Sequence, residues 1–217
     1  MTRFADRRDA GRQLARRLGE TALGDPLILG LPRGGIPVAY EVAAGLSAPL
    51  EVFVARKIGA PGHEELGIAA IAEGLDEPVV TDLVARLGVS AHQLAVLAAR
   101  EHEVHAGRVA RYRAGRALPA LGEHDVVLVD DGLATGITAE AALRALRRLR
   151  PRRLVLAVPV CSPDTANRLS GIADQVLCLS SPDEMYAVGL WYSDFTQTTD
   201  GEVVTLLERS RALPARG

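Results

Sequence analysis

Short apolar runs alternate with amphipathic stretches along most of the chain. Residues 26–31 (PLILGL), 50–55 (LEVFVA), 125–129, 153–158 and 175–179 are compact runs of the length of a buried strand. Between them, residues 6–19, 36–46, 138–149 and 162–169 repeat apolar positions at helical spacing. Ala10, Leu14 and Leu18 share one side of the first helix, and Ala139, Ala142, Leu143, Leu146 and Leu149 one side of the third. This alternation predicts an α/β fold, a parallel twisted sheet with helices on both faces and ligands bound at the carboxyl ends of the strands.

The middle of the chain breaks the rhythm. Residues 59–67, with Pro61 and Gly62, predict a mobile loop, and the runs 68–73 and 78–81 around 74–77 predict a small hairpin. Ser90 is placed to cap a long helix over 90–113. The Pro and Arg content of residues 209–217 predicts a frayed end.

Composition adds limits rather than a function. With 217 residues, 48% of them apolar, the chain can bury roughly 70% of its unfolded surface without a structural metal. A net charge of -2 gives no general attraction to nucleic acid or anionic lipid. No apolar run approaches the ~20 residues that span a bilayer, and the charged start lacks a signal segment, so the expectation is a cytoplasmic protein without membrane or nucleic-acid partners. Cys161 and Cys178 fall outside any zinc-ligand spacing and read as buried, reduced thiols. All basic residues but one are arginine, which draws attention to the single lysine, Lys57.

The informative stretch is residues 126–138, VVLVDDGLATGIT. Four apolar residues end at Asp130 and Asp131, whose carboxylates at a strand end can accept hydrogen bonds from the vicinal hydroxyls of a sugar. The loop Ala134, Thr135, Gly136, Ile137, Thr138 then opens a helix, and its backbone amides and hydroxyls suit a phosphate. The arrangement is neither a Walker A loop nor a GxGxxG loop. It describes a pocket for a phosphorylated sugar.

This motif resembles the phosphoribosyl diphosphate (PRPP) binding motif of type I phosphoribosyltransferases. Three further matches support the resemblance. Leu31-Pro32-Arg33-Gly34-Gly35 follows the first strand where that family has its pyrophosphate loop, and Arg56-Lys57 ends the second strand where several members carry a basic pair. Residues 182–189, PDEMYAVG, are similar to the segment that covers the acceptor base, with Tyr186 at the aromatic position. Tyr186, Trp191, Tyr192 and Phe195 cluster, either as a platform for a flat acceptor or as packing for the C-terminal segment.

The resemblance implies a single domain over 1–217, with a core of about 24–58 and 124–180, an insertion of about 59–123 and a hood from about 1–20 and 181–210. It implies Mg2+-dependent transfer of the 5-phosphoribosyl group from PRPP to a nitrogen acceptor, expected to be a nucleobase, in nucleotide salvage. Asp130, Asp131, Arg56 and Lys57 would be catalytic, with Asp130 and Asp131 meeting the metal indirectly through ribose hydroxyls or water. Arg33, Gly34, Gly35, Ala134, Thr135, Gly136, Ile137, Thr138 and Tyr186 would bind substrate, and the chain would form a homodimer. Ala134 stands where hypoxanthine-type members have an acid, so a base catalyst for a 6-oxopurine is missing there. A non-catalytic PRPP or nucleotide sensor on the same fold is the alternative, and a PRPP hydrolase a third reading.

Two other features carry chemistry on paper. His102 and His105 could suggest a metal site, but Glu101, His105 and Arg108 project along the stripe of Leu94, Leu97, Ala98 and Tyr112, which favours a polar ladder within the helix or an oligomer contact. The arginines at 144, 147, 148, 150, 152 and 153 could be an RNA patch, yet they end the helix that starts at the phosphate loop, where cations suit its dipole.

Overall fold

The computed structural model describes residues 3–212. Strands β1 (Pro26–Gly30), β2 (Leu50–Val52), β6 (Asp125–Val129), β7 (Arg153–Val160) and β8 (Gln175–Ser180) form a five-stranded parallel sheet in the order β2-β1-β6-β7-β8. Period-2 alternation assigns its two faces. Leu27, Leu29, Val126, Leu128, Leu154 and Leu156 pack beneath α5 (Ile137–Arg148) and α6 (Pro163–Ser170). Ile28, Val127, Val129, Val155 and Ala157 face α1 (Arg7–Gly19), α2 (Gly35–Leu46) and α7 (Asp200–Arg211). The α/β expectation therefore holds, with both faces of the sheet covered.

A second sheet departs from the sequence reading. Strands β3 (Ala55–Ala60), β4 (His63–Ala72) and β5 (Val79–Val80) are antiparallel in the order β3-β4-β5. The apolar run 50–55 is thus not one strand. It leaves the parallel sheet after β2, crosses at the buried Phe53 and Val54, and enters β3. Residues 59–67 are not a loop either, because Pro61 and Gly62 make only the turn of the β3–β4 hairpin. Residues 63–66 of β4 are exposed on both faces and carry no alternation that would mark a strand. Arg56-Lys57 consequently lies within β3 rather than at the end of a parallel strand. The expected hairpin of β4 with β5 is present.

Helix α3 (Leu83–Arg86) precedes α4 (Ala91–Arg113), which Ser90 opens through a reciprocal capping box with Gln93. The arginine-rich end is helical up to Arg211, as the last turn of α7, whose start Thr199 and Glu202 cap in the same way. Residues 213–217 of the expected frayed end lie outside the described residues. Cys161 and Cys178 are joined in a disulfide, against the expectation of free thiols. Parallel pairing of β7 with β8 brings their Cα atoms to 6.4 Å, a neighbourhood their sequence separation of 17 does not disclose.

Candidate active site

The acidic end of β6 and the loop after β1 meet at the carboxyl edge of the sheet. Leu31 N donates to Val129 O over 2.9 Å, which carries the pairing with β6 one residue beyond the end of β1. That contact sets residues 32–35 against Asp130 and Asp131. A Cβ on Gly34 would overlap Asp131 Oδ2, so only glycine allows this approach. The peptide between Pro32 and Arg33 is cis.

Both carboxyls are held at defined orientations. Asp130 Oδ1 accepts from Asp131 N at 2.9 Å. Asp131 Oδ2 accepts from Arg7 Nε at 2.8 Å, in a pair whose side chains are 11% and 15% exposed. Arg7 also donates to Thr196 O at 2.7 Å, and its guanidinium lies 3.8 Å from the centre of the Phe195 ring. Tyr192 Oη donates to the Asp131 carbonyl. Burial pushes both carboxyls above the usual range, the charge of Asp131 adding to the rise at Asp130 and Arg7 opposing it at each. Burial likewise raises the Tyr192 phenol, which stays a donor.

The phosphate loop continues directly from these acids. Gly136 has φ +68 and opens α5 without a side-chain cap, so the first-turn amides of α5 have no competing side-chain acceptor there. Its neighbours fix the loop from outside. Thr165 Oγ1 donates to Ala134 O at 3.2 Å, and Arg168 donates to Thr135 O. Arg168 is itself anchored to Glu140 on the first turn of α5.

The structure brings together Gly34, Gly35, Asp130, Asp131 and the loop from Ala134 to Thr138, but it separates the basic pair. Strand alternation sends Arg56 and Lys57 to opposite faces of the hairpin. Lys57 Nζ donates to Glu65 O at 2.6 Å and to Glu65 Oε2 at 3.2 Å, and Gly67 leaves room for its stem close to Ile137 of the phosphate loop. Arg56 Nε donates to Glu101 Oε2 of α4 at 2.6 Å. A cavity of about 530 Å3 is lined by both residues together with Arg100 and Glu101.

The aromatic cluster divides as well. Trp191 and Tyr192 are buried and pack with Phe4, whereas Tyr186 is 80% exposed and donates to Glu184 at 3.1 Å. Val188 presses on Gly132, so the 182–192 segment does reach the acidic motif. A second cavity, of about 640 Å3, lies between α1 and α7 and includes Arg7, Thr196, Thr198 and Arg209 in its wall.

Sequence reasoning missed Arg7, Tyr192 as a partner of Asp131, Thr165 and Arg168. Arg7 is 124 positions from Asp131, and no local pattern singles it out among the arginines of α1. The polar ladder of α4 also resolves differently, since Glu101 and His105 reach other elements: His105 Nε2 lies 3.0 Å from Val54 O. Several arginines of the 144–153 run have internal partners: Arg144 pairs with Glu140, Arg147 with Asp174 and Arg152 with Asp125.

Known proteins resemble this chain over most of its length. Residues 5–190 match the family described as the phosphoribosyl transferase domain. Proteins of two Mycobacterium tuberculosis strains, provisionally named phosphoribosyl transferases, are 43% identical over 210 residues, 97% of this chain and 47% of theirs. The chain thus spans about half the length of these curated relatives. The crystal structure of TT1426 from Thermus thermophilus superposes with a TM-score of 0.79 at 45% identity, covering 95% of this chain and 98% of that one.

Proposed function

The chain belongs to the phosphoribosyl transferase family, and from that premise we propose that it moves the 5-phosphoribosyl group of PRPP to a nitrogen acceptor, a nucleobase, and releases diphosphate in a Mg2+-dependent reaction. The observation that carries this reading is the closure of Gly34 onto Asp131 immediately before a helix N-terminus opened by Gly136. One face of that junction offers carboxylates and the next offers amides, in the order that a ribose and its 5-phosphate require.

Each part has a separable role. The amides and hydroxyls of residues 134–138 bind the 5-phosphate, and Asp130 and Asp131 accept from the ribose hydroxyls. C1 gains positive character as diphosphate departs, so catalysis consists mainly of holding the departing charge and aligning the acceptor. Arg33 and the amides of Gly34 and Gly35 receive the diphosphate, with Arg56 and Lys57 closing from the hairpin. Tyr186, exposed on the segment whose Val188 reaches Gly132, stacks on the acceptor.

The donor set suits a cation carried by the substrate. Asp130 and Asp131 are two adjacent carboxyls, and among the described residues no cluster of three or more His, Cys, Asp or Glu could hold a metal alone. Mg2+ commonly keeps water and phosphate oxygens with one or two carboxylates, and when bound here it would offset the charge of the leaving diphosphate. The remaining proposals are a single domain with the hairpin and α4 as its insertion, acting as a homodimer in the cytoplasm.

The test is diphosphate release from PRPP with Mg2+, with and without adenine, guanine, hypoxanthine, xanthine, uracil and orotate. Acceptor-dependent release is expected. Release without any acceptor would identify a hydrolase, and PRPP binding without release would favour a sensor.

A further inference from the structure

Helix α4 belongs to the insertion, for which the motif match supplies no role, yet it crosses the carboxyl edge of the sheet. His105 Nε2 meets Val54 O at 3.0 Å, and Arg113 donates to Val52 O at 2.8 Å. Between those two contact points in sequence runs the chain segment at Phe53, whose amide donates to Gly30 O at 3.1 Å, one residue before the loop 31–35 begins. Helical spacing sets Arg108 three residues after His105 and four before Tyr112, on the same inward stripe. Glu101, on that stripe, holds Arg56, and Tyr112 donates to Asp200 of α7.

The members of this stripe have partners, with Arg108 the exception. Among the described residues, neither Arg108 nor Arg33 makes a side-chain hydrogen bond or an ion pair, although both are only half-exposed. Burial depresses the Arg108 guanidinium below its usual range, and Arg56 and Arg33 press it the same way, against the opposing pull of Tyr112 and Asp200. Arg56 is held by Glu101, two helical turns before Arg108 on the same stripe, and the loop that carries Arg33 starts beside the Phe53 N to Gly30 O hydrogen bond that this stripe covers, so the three arginines come from three elements that meet here and Glu101 answers just one of them. Such a surplus of half-buried cations is a site for a multiply charged anion.

We propose that Arg108 is a diphosphate-binding residue, so that the insertion helix forms one wall of the PRPP site and Arg33, Arg56 and Arg108 together receive the leaving group. This rests on the reading of the chain as a PRPP-binding protein. It gives the insertion a function in the reaction rather than a purely structural one. It also explains why the basic pair need not act from one face of the hairpin: Arg56 turns toward α4 and Arg108, while Lys57 turns toward the phosphate loop.

The experiment titrates PRPP, inorganic diphosphate and ribose 5-phosphate, each with Mg2+, into the full chain and into Arg108→Gln and Arg108→Lys. Thermal unfolding checks that the variants fold. A lost charged hydrogen bond predicts roughly 10- to 100-fold weaker binding of PRPP and diphosphate to Arg108→Gln, with ribose 5-phosphate unchanged and partial recovery in Arg108→Lys. Equal affinity of wild type and Arg108→Gln for PRPP would overturn the proposal, as would a parallel loss of ribose 5-phosphate, which marks a general structural effect. Failure of the wild-type chain to bind PRPP would instead overturn the functional reading beneath it.

Discussion

Arg7 Nε donates to Asp131 Oδ2 at 2.8 Å, so the first helix of the chain and the acidic end of the central strand share one ion pair. The pair is largely enclosed, and Arg7 is fixed from its other side by Thr196 O and the Phe195 ring. An N-terminal residue thereby orients the carboxylate assigned to the ribose, and it ties the 191–196 segment to the same point.

Removing Arg7 should therefore alter the pH dependence of PRPP binding as well as its strength. Burial raises Asp131 above the usual carboxylate value of about 4, and Arg7 opposes that rise. Binding needs the ionised form, so affinity is lost as pH falls through a value above the usual range. In Arg7→Gln that midpoint moves to still higher pH, and affinity near neutrality falls by roughly tenfold. Calorimetric titration of PRPP across pH checks both effects, and an unshifted midpoint would remove Arg7 from the site.

Asp130 trades stability for function. Its carboxyl is raised by burial and by Asp131, so the folded state binds the proton more tightly than the unfolded chain does. Stability then falls as pH rises from the unfolded value to the folded one, and the cost is fully present above both. Asp130→Asn should raise the unfolding midpoint at neutral pH while lowering PRPP-dependent turnover by at least about tenfold. A lower midpoint at neutral pH would show that the carboxylate is stabilising instead.

Gly34→Ala should fail at the site. The added methyl would overlap the Asp131 carboxylate and force it from its place beside Arg7, so a stability loss of about 1–3 kcal/mol is expected together with the loss of PRPP binding. Gly107→Ala is the matched control, because it lies on α4 with nothing within 4 Å of the new Cβ. Helix propensity predicts that this control gains up to about 1 kcal/mol in chemical denaturation.

The crossing from β2 to β3 depends on Glu73. Its carboxylate pairs with Arg113 at 2.6 Å and accepts from Val54 N at 2.7 Å, while Arg113 reaches Val52 O. Glu73→Ala leaves a nearly buried guanidinium without its charge partner, and a loss of about 3 kcal/mol is expected in denaturant unfolding. A loss below about 1 kcal/mol would show that water replaces the carboxylate.

The central part of the fold was legible because its signals are local. An unbroken apolar run ending in two acids marks β6 to within a residue, and Ser90 marks the start of α4. Where apolarity continues through a change of sheet, as from Val52 to Ala55, nothing local announces the crossing. Exposure of residues 63–66 hid the hairpin for the opposite reason. The pattern Thr199 to Glu202 does carry a capping-box signal for α7, and it was available in the sequence. Arg7 and Arg168 reach the site only through tertiary contacts between distant segments, so periodicity and motif spacing hold no trace of them, and the aromatic cluster marked Tyr192 without its contact to Asp131.

PRPP binding at the junction of Asp130, Asp131 and the Gly136-led helix underlies every role assigned above. Calorimetric titration of PRPP with Mg2+ into the wild-type chain and into Asp131→Asn tests it most directly. Saturable one-to-one binding to the wild type is expected, with an affinity weakened roughly tenfold or more in Asp131→Asn. Absence of binding to the wild type, or equal affinity in the two proteins, would contradict it.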